Sequence, residues 1–235
     1  MLIDMHAHCS EISRCCKASL EQAMEITLEN GMDGFVLTNH YQKKYVTDGD
    51  YLAFAKRYMA ECERAVAYGA QKGVPVFWGI EVTAEQYPQV HMLIYGVDSE
   101  FLFRYPTLFD YSQQELYRIV SENGGVLIQA HPYRGGTMVL DTAFLDGVEV
   151  NCHPLYGHSY CDELIKLARE NDLIVTCGGD FHKDTYRPKC GIYLPDSIGD
   201  SAALGAYLKN AKTLELCIME IETREVENIL YSRKD

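Results

Sequence analysis

The fold is decided by the stretch LIDMHAH, residues 2–8, which predicts a short buried strand ending in an Asp-x-His-x-His pattern. Side chains on a strand alternate between its two faces, so Asp4, His6 and His8 project to the same side. Two imidazoles with a carboxylate behind them suit a divalent metal ion and a residue that orients its ligands. We therefore predict a metal site at the end of this strand, with Asp4 orienting a ligand histidine.

The same arrangement recurs along the chain, because one apolar run after another lies beside a residue type that binds metals. Six of the eight histidines fall at the edges of predicted strands, whereas His153 and His158 fall on a later loop and are expected at the surface. Histidines used only for packing would not share this placement. Besides His6 and His8, the candidate ligands at these edges are His40, Glu81, His91, His131, Asp180 and His182.

The motifs that contain these residues resemble the polymerase and histidinol phosphatase (PHP) family. In chain order they are Asp-x-His-x-His, Thr-Asn-His, Gly-x-Glu, His-x-Leu, Ala-His-Pro and Gly-Gly-Asp-x-His, and they run from Asp4 to His182. The resemblance implies an α/β fold, a distorted seven-stranded β/α (TIM-like) barrel with metals at its carboxyl-terminal rim. It also implies one PHP-type phosphoesterase domain over residues 1–235.

The pattern of elements independently favours a barrel, because strands and helices alternate along the whole chain. Such alternation predicts parallel strands joined by crossover helices, and a closed barrel would gather the ligands at one mouth. A capping box begins a helix at Ser19, with Gln22 three residues later. Near the carboxyl terminus we predict a helix at 201–210, an extended segment at 214–219 and a helix at 223–231.

Carried over residue by residue, the resemblance implies three metal positions. The first would be held by His6, His8, Glu81 and Asp180. The second would be held by Glu81, His91 and His131, so that Glu81 bridges the two. The third would be held by His40 and His182 with a ligand from the loop after the first strand. Family members often have His or Asp in that loop, and here we expect Glu11 to take this place.

The function implied is metal-dependent hydrolysis of a small phosphorylated substrate. Two or three divalent cations (zinc, manganese or iron) would activate a hydroxide and polarise the phosphoryl oxygens. Glu81 and Asp180 are the expected catalytic carboxylates, and Arg134 is expected to hold the phosphate as a planar bidentate donor. A surface arginine in a glycine-rich loop is the alternative for Arg134.

The charge of the chain narrows the substrate class. The net charge is −13, from 34 acidic and 21 basic residues, and phosphate contacts along a nucleic acid need clustered cations. We therefore expect a small phosphomonoester; a PHP-type nuclease or nucleotide phosphatase is an alternative. An amidohydrolase-like metal hydrolase is another, although such sites typically bridge their metals with a modified lysine and no lysine here ends a suitable run. A third alternative is a PHP domain retained as a regulatory module.

Cysteine usage and hydropathy indicate the compartment. The nine cysteines are odd in number, no Cys-x-x-Cys pair occurs and no secretion signal precedes the first strand, so we expect reduced thiols in the cytoplasm. Cys9 and Cys15 lie near the predicted site and are candidate soft metal ligands, but the histidines and carboxylates already fill that site, so we do not expect these thiols to bind the metals. No run approaches the roughly 18 apolar residues of a membrane helix, so no membrane partner is expected. The oligomeric state stays open.

Overall fold

The computed structural model describes residues 1–234, which form two mixed β-sheets flanked by α-helices. In sheet order, the first sheet contains β12 (Val226–Ser232), β11 (Thr213–Met219), β10 (Gly191–Tyr193), β1 (Leu2–Ala7), β2 (Gly34–Leu37) and β4 (Val76–Trp78). The second contains β3 (His40–Tyr41), β5 (Ile80–Thr83), β6 (His91–Tyr95), β7 (Val126–Gln129), β8 (Gly147–Asn151) and β9 (Ile174–Gly178).

The two sheets approach one another without forming a continuous closed ladder. β1 is connected to the segment that follows β9 through a single isolated bridge between Ala7 and Phe181, and Gly79 interrupts the path from β4 to β5. The mixed α/β class is confirmed, but the structure has two six-stranded sheets rather than one seven-stranded closed barrel.

The expectation of parallel strands throughout was wrong. Five of the ten strand pairings are antiparallel, namely β1–β10, β10–β11, β11–β12, β5–β6 and β6–β7. The connection between β5 and β6 spans only residues 84–90, too few for a crossover helix, so these strands run in opposite directions.

Six α-helices flank the sheets within residues 1–234. They are α1 (Leu20–Glu29), α2 (Tyr51–Lys72), α3 (Phe101–Arg104), α4 (Gln113–Glu122), α5 (Cys161–Asn171) and α6 (Ser201–Asn210). The predicted capping box is confirmed: the Ser19 hydroxyl accepts from the Gln22 amide, while the Gln22 side chain accepts from the Ser19 amide. None of these helices combines the length and apolar character needed to span a membrane.

The predicted helix at 223–231 is wrong, because this segment forms β12 and pairs antiparallel with β11. The extended conformation turns Tyr231 into the core while its neighbours in the strand stay exposed or half-buried. The Tyr231 hydroxyl donates to the Leu173 carbonyl at 2.6 Å, which ties the added strand to the rest of the fold.

Alternation along the central strand positions the candidate site. Ile3 and Met5 of β1 pack into the apolar core, so Asp4 and His6 point away from it. Three of the other ligand candidates follow the carboxyl ends of β7 and β9, whereas His40 and Glu81 lie at the start of β3 and β5. His91 begins its strand, but β6 runs antiparallel to β5, so the start of β6 lies at the same edge, where His91 pairs with Thr83.

Candidate metal centre

Eight of the nine predicted ligands converge at one edge of the two sheets. His6 Nε2 and His8 Nε2 lie 3.1 Å apart, and His8 Nε2 lies 3.1 Å from Asp180 Oδ1. His6 Nε2 is 3.4 Å from both Asp180 Oδ1 and Glu81 Oε1. Ligand atoms about 2.0–2.2 Å from one ion are separated by roughly 3–3.5 Å, so these four residues have the spacing of one coordination shell.

Glu81 connects this group to a second one. Its Oε1 lies 2.7 Å from His91 Nδ1 and 3.2 Å from His131 Nε2. On the other side, Oε2 lies 3.4 Å from His8 Nε2 and also abuts His40 Nδ1. The carboxylate of Glu81 is fully buried and stands between two sets of imidazoles.

The donor atoms of this centre fit divalent cations. Glu81 Oε2 and His40 Nδ1 are both buried, and neither has a hydrogen-bond partner of acceptable geometry among residues 1–234. Buried polar atoms are rarely left unpaired, because each costs about 1–3 kcal/mol. Imidazole nitrogens and carboxylate oxygens are common ligands of zinc, manganese and iron, so a cation would satisfy Glu81 Oε2, and His40 would be available as a ligand through the ring nitrogen that carries its lone pair.

Two residues that were missed in the sequence hold the first histidines in the tautomer that binds metal. His6 Nδ1 lies 2.9 Å from Glu149 Oε1, and His8 Nδ1 lies 3.1 Å from the Ser13 hydroxyl. Each partner accepts the Nδ1 proton, so each Nε2 directs its lone pair into the cluster. Glu149 is a buried charged residue within the apolar strand β8, a signal that was present in the sequence.

Asp4 contacts the backbone instead of the imidazole that it was expected to orient. Its Oδ1 accepts from the amides of His6 and Gly179, both at 2.9 Å. Burial raises the pKa of Asp4 to about 7, although these two backbone hydrogen bonds oppose the shift. Asp4 therefore fixes the position of the chain on either side of the site, and the contact with the ring of His6 belongs to Glu149.

The third group of predicted ligands is only partly assembled as expected. His182 Nε2 faces His40 Nε2 at 3.4 Å, and His182 Nδ1 lies 2.8 Å from the Asp180 carbonyl. The carboxylate of Glu11 is not among their contacts within residues 1–234, since Glu11 Oε1 pairs with Arg64 Nη2 at 2.8 Å. In its place, the side chain of Cys15 lies beside both rings, with Sγ 3.6 Å from the Tyr45 hydroxyl.

The surrounding charges keep the acidic groups ionised. Burial raises the pKa of Glu81, but the charges of His40 and His91 outweigh it and hold that pKa well below its usual range. Burial acts in the same way on Asp180, and its pKa is also held well below the usual range, chiefly by His182. The centre therefore presents two carboxylates in their ligand form.

Arg134 lies at the rim of the cluster, with 23% of its side chain exposed. Its Nη1 donates to Asp180 Oδ2 at 3.2 Å and to the Tyr156 hydroxyl, and its guanidinium stacks over the Tyr156 ring. The Tyr156 hydroxyl itself donates to Asp180 Oδ2 at 3.0 Å. Tyr156 was not identified from the sequence, because its loop carries no motif.

The two remaining histidines differ from one another. His158 is exposed as expected, but His153 is buried and stacks on Tyr156 with 4.3 Å between ring centroids. The surface prediction for His153 was therefore wrong, since the loop folds back over the cluster. Beside Arg134, a cavity of about 440 Å³ opens to solvent and is lined by Tyr87, Pro88, Gln89, Val90, Arg134, Gly135, Gly136 and Thr137.

Comparisons with known proteins bear on the fold. No protein-family model matches the chain, and no curated protein matches it. A candidate metal-dependent phosphoesterase structure from Bifidobacterium adolescentis ATCC 15703 is 18% identical, with a TM-score of 0.54 over 86% of this chain and 93% of that one. PsfC from Pseudomonas syringae PB-5123 is 15% identical, with a TM-score of 0.58; the match covers 97% of this chain and 90% of PsfC. An amidohydrolase from Chromobacterium violaceum, with bound sulfate and no metal, is 15% identical, with a TM-score of 0.56. This match covers 83% of this chain and 93% of the amidohydrolase. At these identities the similarity concerns the fold alone.

Proposed function

We propose that this protein is a metal-dependent hydrolase that cleaves small phosphomonoesters. The observation that carries the proposal is the environment of Glu81, a fully buried carboxylate whose two oxygens lie within 3.4 Å of ring nitrogens from five histidines. Five imidazoles cannot all donate to one carboxylate, and burying several imidazolium ions together is costly. Divalent cations shared between the imidazoles and the carboxylate resolve this arrangement. The histidines are His6, His8, His40, His91 and His131.

The chain would hold two of these cations through groups that share Glu81. His6, His8 and Asp180 form one group with it, and His91 and His131 form the other. Cations bound there supply an activated water and polarise the phosphoryl oxygens of a substrate. The protein contributes fixed ligand geometry, because Glu149 and Ser13 each hold a ligand ring in place.

Arg134 would contact the phosphoryl group at the rim of the centre. Its contacts with Asp180 and Tyr156 use Nη1, so the edge of the guanidinium that carries Nε and Nη2 can donate to an anion. The ring of Tyr156 stacks against one face of this guanidinium. The adjacent 440 Å³ cavity would accommodate the alcohol part of the substrate, and Arg134 is the only charged residue among those that line it.

The proposal also includes the family of the domain, its cellular compartment and the metals that it binds. The ordered motifs favour a PHP-type domain, and two of the similar structures are described as a phosphoesterase and an amidohydrolase. Nine free thiols suit a reducing cytoplasm. Zinc, manganese and iron all accept this mixture of imidazole and carboxylate ligands.

Hydrolysis of an amide, as in an amidohydrolase-like enzyme, is the second candidate. It is favoured by the shared fold with the Chromobacterium violaceum protein. Glu81 rather than a lysine would take the bridging position, and Arg134 stands beside Asp180 at the rim, which suits a phosphoryl group better than a neutral amide.

Metal analysis combined with a substrate screen tests the proposal. Purified protein reconstituted with zinc, manganese or iron should bind two to three equivalents and hydrolyse members of a phosphomonoester panel faster than a matched amide panel. Glu81→Ala should remove more than one equivalent, because the carboxylate is shared. Glu81→Gln keeps the volume and serves if the alanine variant misfolds. Wild-type protein that binds no metal would refute the proposal, and loss of a single equivalent would refute the sharing.

A further inference from the structure

We infer that Cys15 is the anionic ligand of a third cation, held with His40 and His182, and that Glu11 is not. This inference rests on the proposed metal-dependent function and deepens it, because a thiolate gives this position a metal preference different from that of the other two. It is carried by the arrangement of three side chains from three separate parts of the chain.

The two imidazoles already have the spacing of a coordination shell. His182 Nδ1 is engaged by the Asp180 carbonyl at 2.8 Å, so Nε2 carries the lone pair. That Nε2 faces His40 Nε2 at 3.4 Å. An ion about 2.1 Å from each of two nitrogens in tetrahedral geometry holds them about 3.4 Å apart. His40 is buried, and its Nδ1 abuts Glu81, an acceptor for the Nδ1 proton, so its Nε2 carries the lone pair that faces His182.

Cys15 supplies the third donor atom of this group. Its side chain lies beside the rings of both His182 and His40. The loop that carries it is fixed against them, because the Lys17 amide donates to the His182 carbonyl at 2.7 Å and the Ser13 hydroxyl accepts from the His40 amide at 3.0 Å. Its position is further set by the Tyr45 hydroxyl, 3.6 Å from Sγ. Cys15 is exposed, whereas seven of the other eight cysteines are buried. An exposed thiol between two ligand imidazoles can be reached both by a metal ion and by solvent.

The carboxylate that was expected here is engaged elsewhere. Glu11 Oε1 accepts from Arg64 Nη2 at 2.8 Å, and the same guanidinium also pairs with Glu21 and Glu61. Moving Glu11 to the imidazoles would break this network, whereas Cys15 already contacts them. Two imidazoles and one thiolate with an open position make a site for zinc, cobalt or iron, since thiolate selects soft or borderline ions over magnesium and manganese.

Cobalt(II) titration tests the assignment without relying on activity. A cobalt–thiolate bond produces a near-ultraviolet charge-transfer absorption that cobalt bound by imidazole and carboxylate lacks. Wild-type protein should show this absorption on binding its last equivalent. Cys15→Ser should lose the absorption and one equivalent, and Cys15→His should restore the equivalent without the absorption. Glu11→Ala should behave as wild type. Cys16→Ser is the matched control, because the neighbouring Cys16 thiol is buried and donates to backbone carbonyls.

Alkylation provides an independent readout. In a Cys161→Ser background, which removes the one other thiol that is not buried, iodoacetamide should modify Cys15, and saturating zinc should slow this modification at least tenfold. Metal binding at full stoichiometry without charge transfer or protection would overturn the role of Cys15 and leave the proposed hydrolase intact. A wild-type protein that binds no cobalt would overturn both proposals.

Discussion

Replacing Glu149 by glutamine tests how the centre keeps His6 in a metal-binding tautomer. The carboxylate accepts three hydrogen bonds: Oε1 accepts from His6 Nδ1, and Oε2 accepts from the His131 amide and the Asn151 side chain. A glutamine has only one acceptor oxygen, so at least one of these three buried donors loses its partner. The volume of the side chain is almost unchanged, and the effect is therefore one of hydrogen bonding and charge.

The size of the effect follows from the orientation that the amide adopts. If its oxygen keeps Asn151 and His131, the NH₂ group faces His6 Nδ1, and the ring must move its proton to Nε2, the atom that faces the cluster. Loss of such a supporting contact weakens metal binding about 10- to 100-fold, or about 1.4–2.8 kcal/mol. If the oxygen turns to His6, the unpaired donors at His131 and Asn151 cost about 1–3 kcal/mol of folding stability.

Competition with a chromophoric chelator measures the metal affinity, and urea unfolding of the metal-free protein measures the stability. Glu227→Gln is the matched control, since Glu227 also lies in a β-strand but is exposed, and it should change neither quantity. Glu149→Gln protein with metal affinity within twofold of wild type and unchanged stability would refute the reasoning, because it would mean that the three donors do not depend on this carboxylate.

Two further changes test the rim of the site and the packing of the fold. Arg134→Ala should reduce kcat/KM for the best phosphomonoester about 100-fold with unchanged metal content, and Arg134→Lys should recover only part of this, because a point charge does not replace a planar fork. Kinetics unchanged from wild type in both variants would show that Arg134 is a surface residue without this role. Gly205→Ala should lower stability by about 1–3 kcal/mol in thermal unfolding despite the better helix propensity of alanine, because the added Cβ would lie 2.2 Å from Gly96 Cα. Gly199→Ala, where the added Cβ meets open space, should be nearly neutral, and equal effects of the two substitutions would contradict this packing argument.

The convergence of eight ligand candidates could be predicted because each is tied to a strand edge. An imidazole at the end of a buried strand has its position set by local chain geometry, and strands of one sheet end together. Even His91, which begins its run, reaches the same edge because β6 is antiparallel. Sheet closure and strand direction could not be predicted in this way. They depend on the lengths of the connections between strands and on which strands pair, as in the antiparallel pairing of β11 with β12.

The positions of the site residues that lie on loops could not be predicted from the sequence either. In the loop after β1, Glu11 pairs with Arg64 of α2, and Cys15 is the side chain that lies beside the histidines. Tyr156 and His153 reach the cluster because their loop folds back and stacks on itself. Neither contact follows from spacing along the chain. Glu149 was accessible to sequence reasoning, because a charge inside an apolar strand needs a buried partner.

The local charge of the metal-bound centre explains how an acidic protein would bind an anionic substrate. The chain carries a net charge of −13, which by itself repels phosphate. Within the centre, however, six imidazoles are neutral when they bind metal, so Glu81 and Asp180 alone would face two divalent cations and leave two positive charges uncompensated. Glu149 adds one negative charge behind His6, and Arg134 adds one positive charge at the rim beside Asp180. Because these groups are buried, their field is screened far less than that of the surface carboxylates. A phosphoryl group would therefore be attracted at this edge of the sheets and repelled over most of the remaining surface, which places the acidic surface and the proposed phosphoester chemistry in agreement.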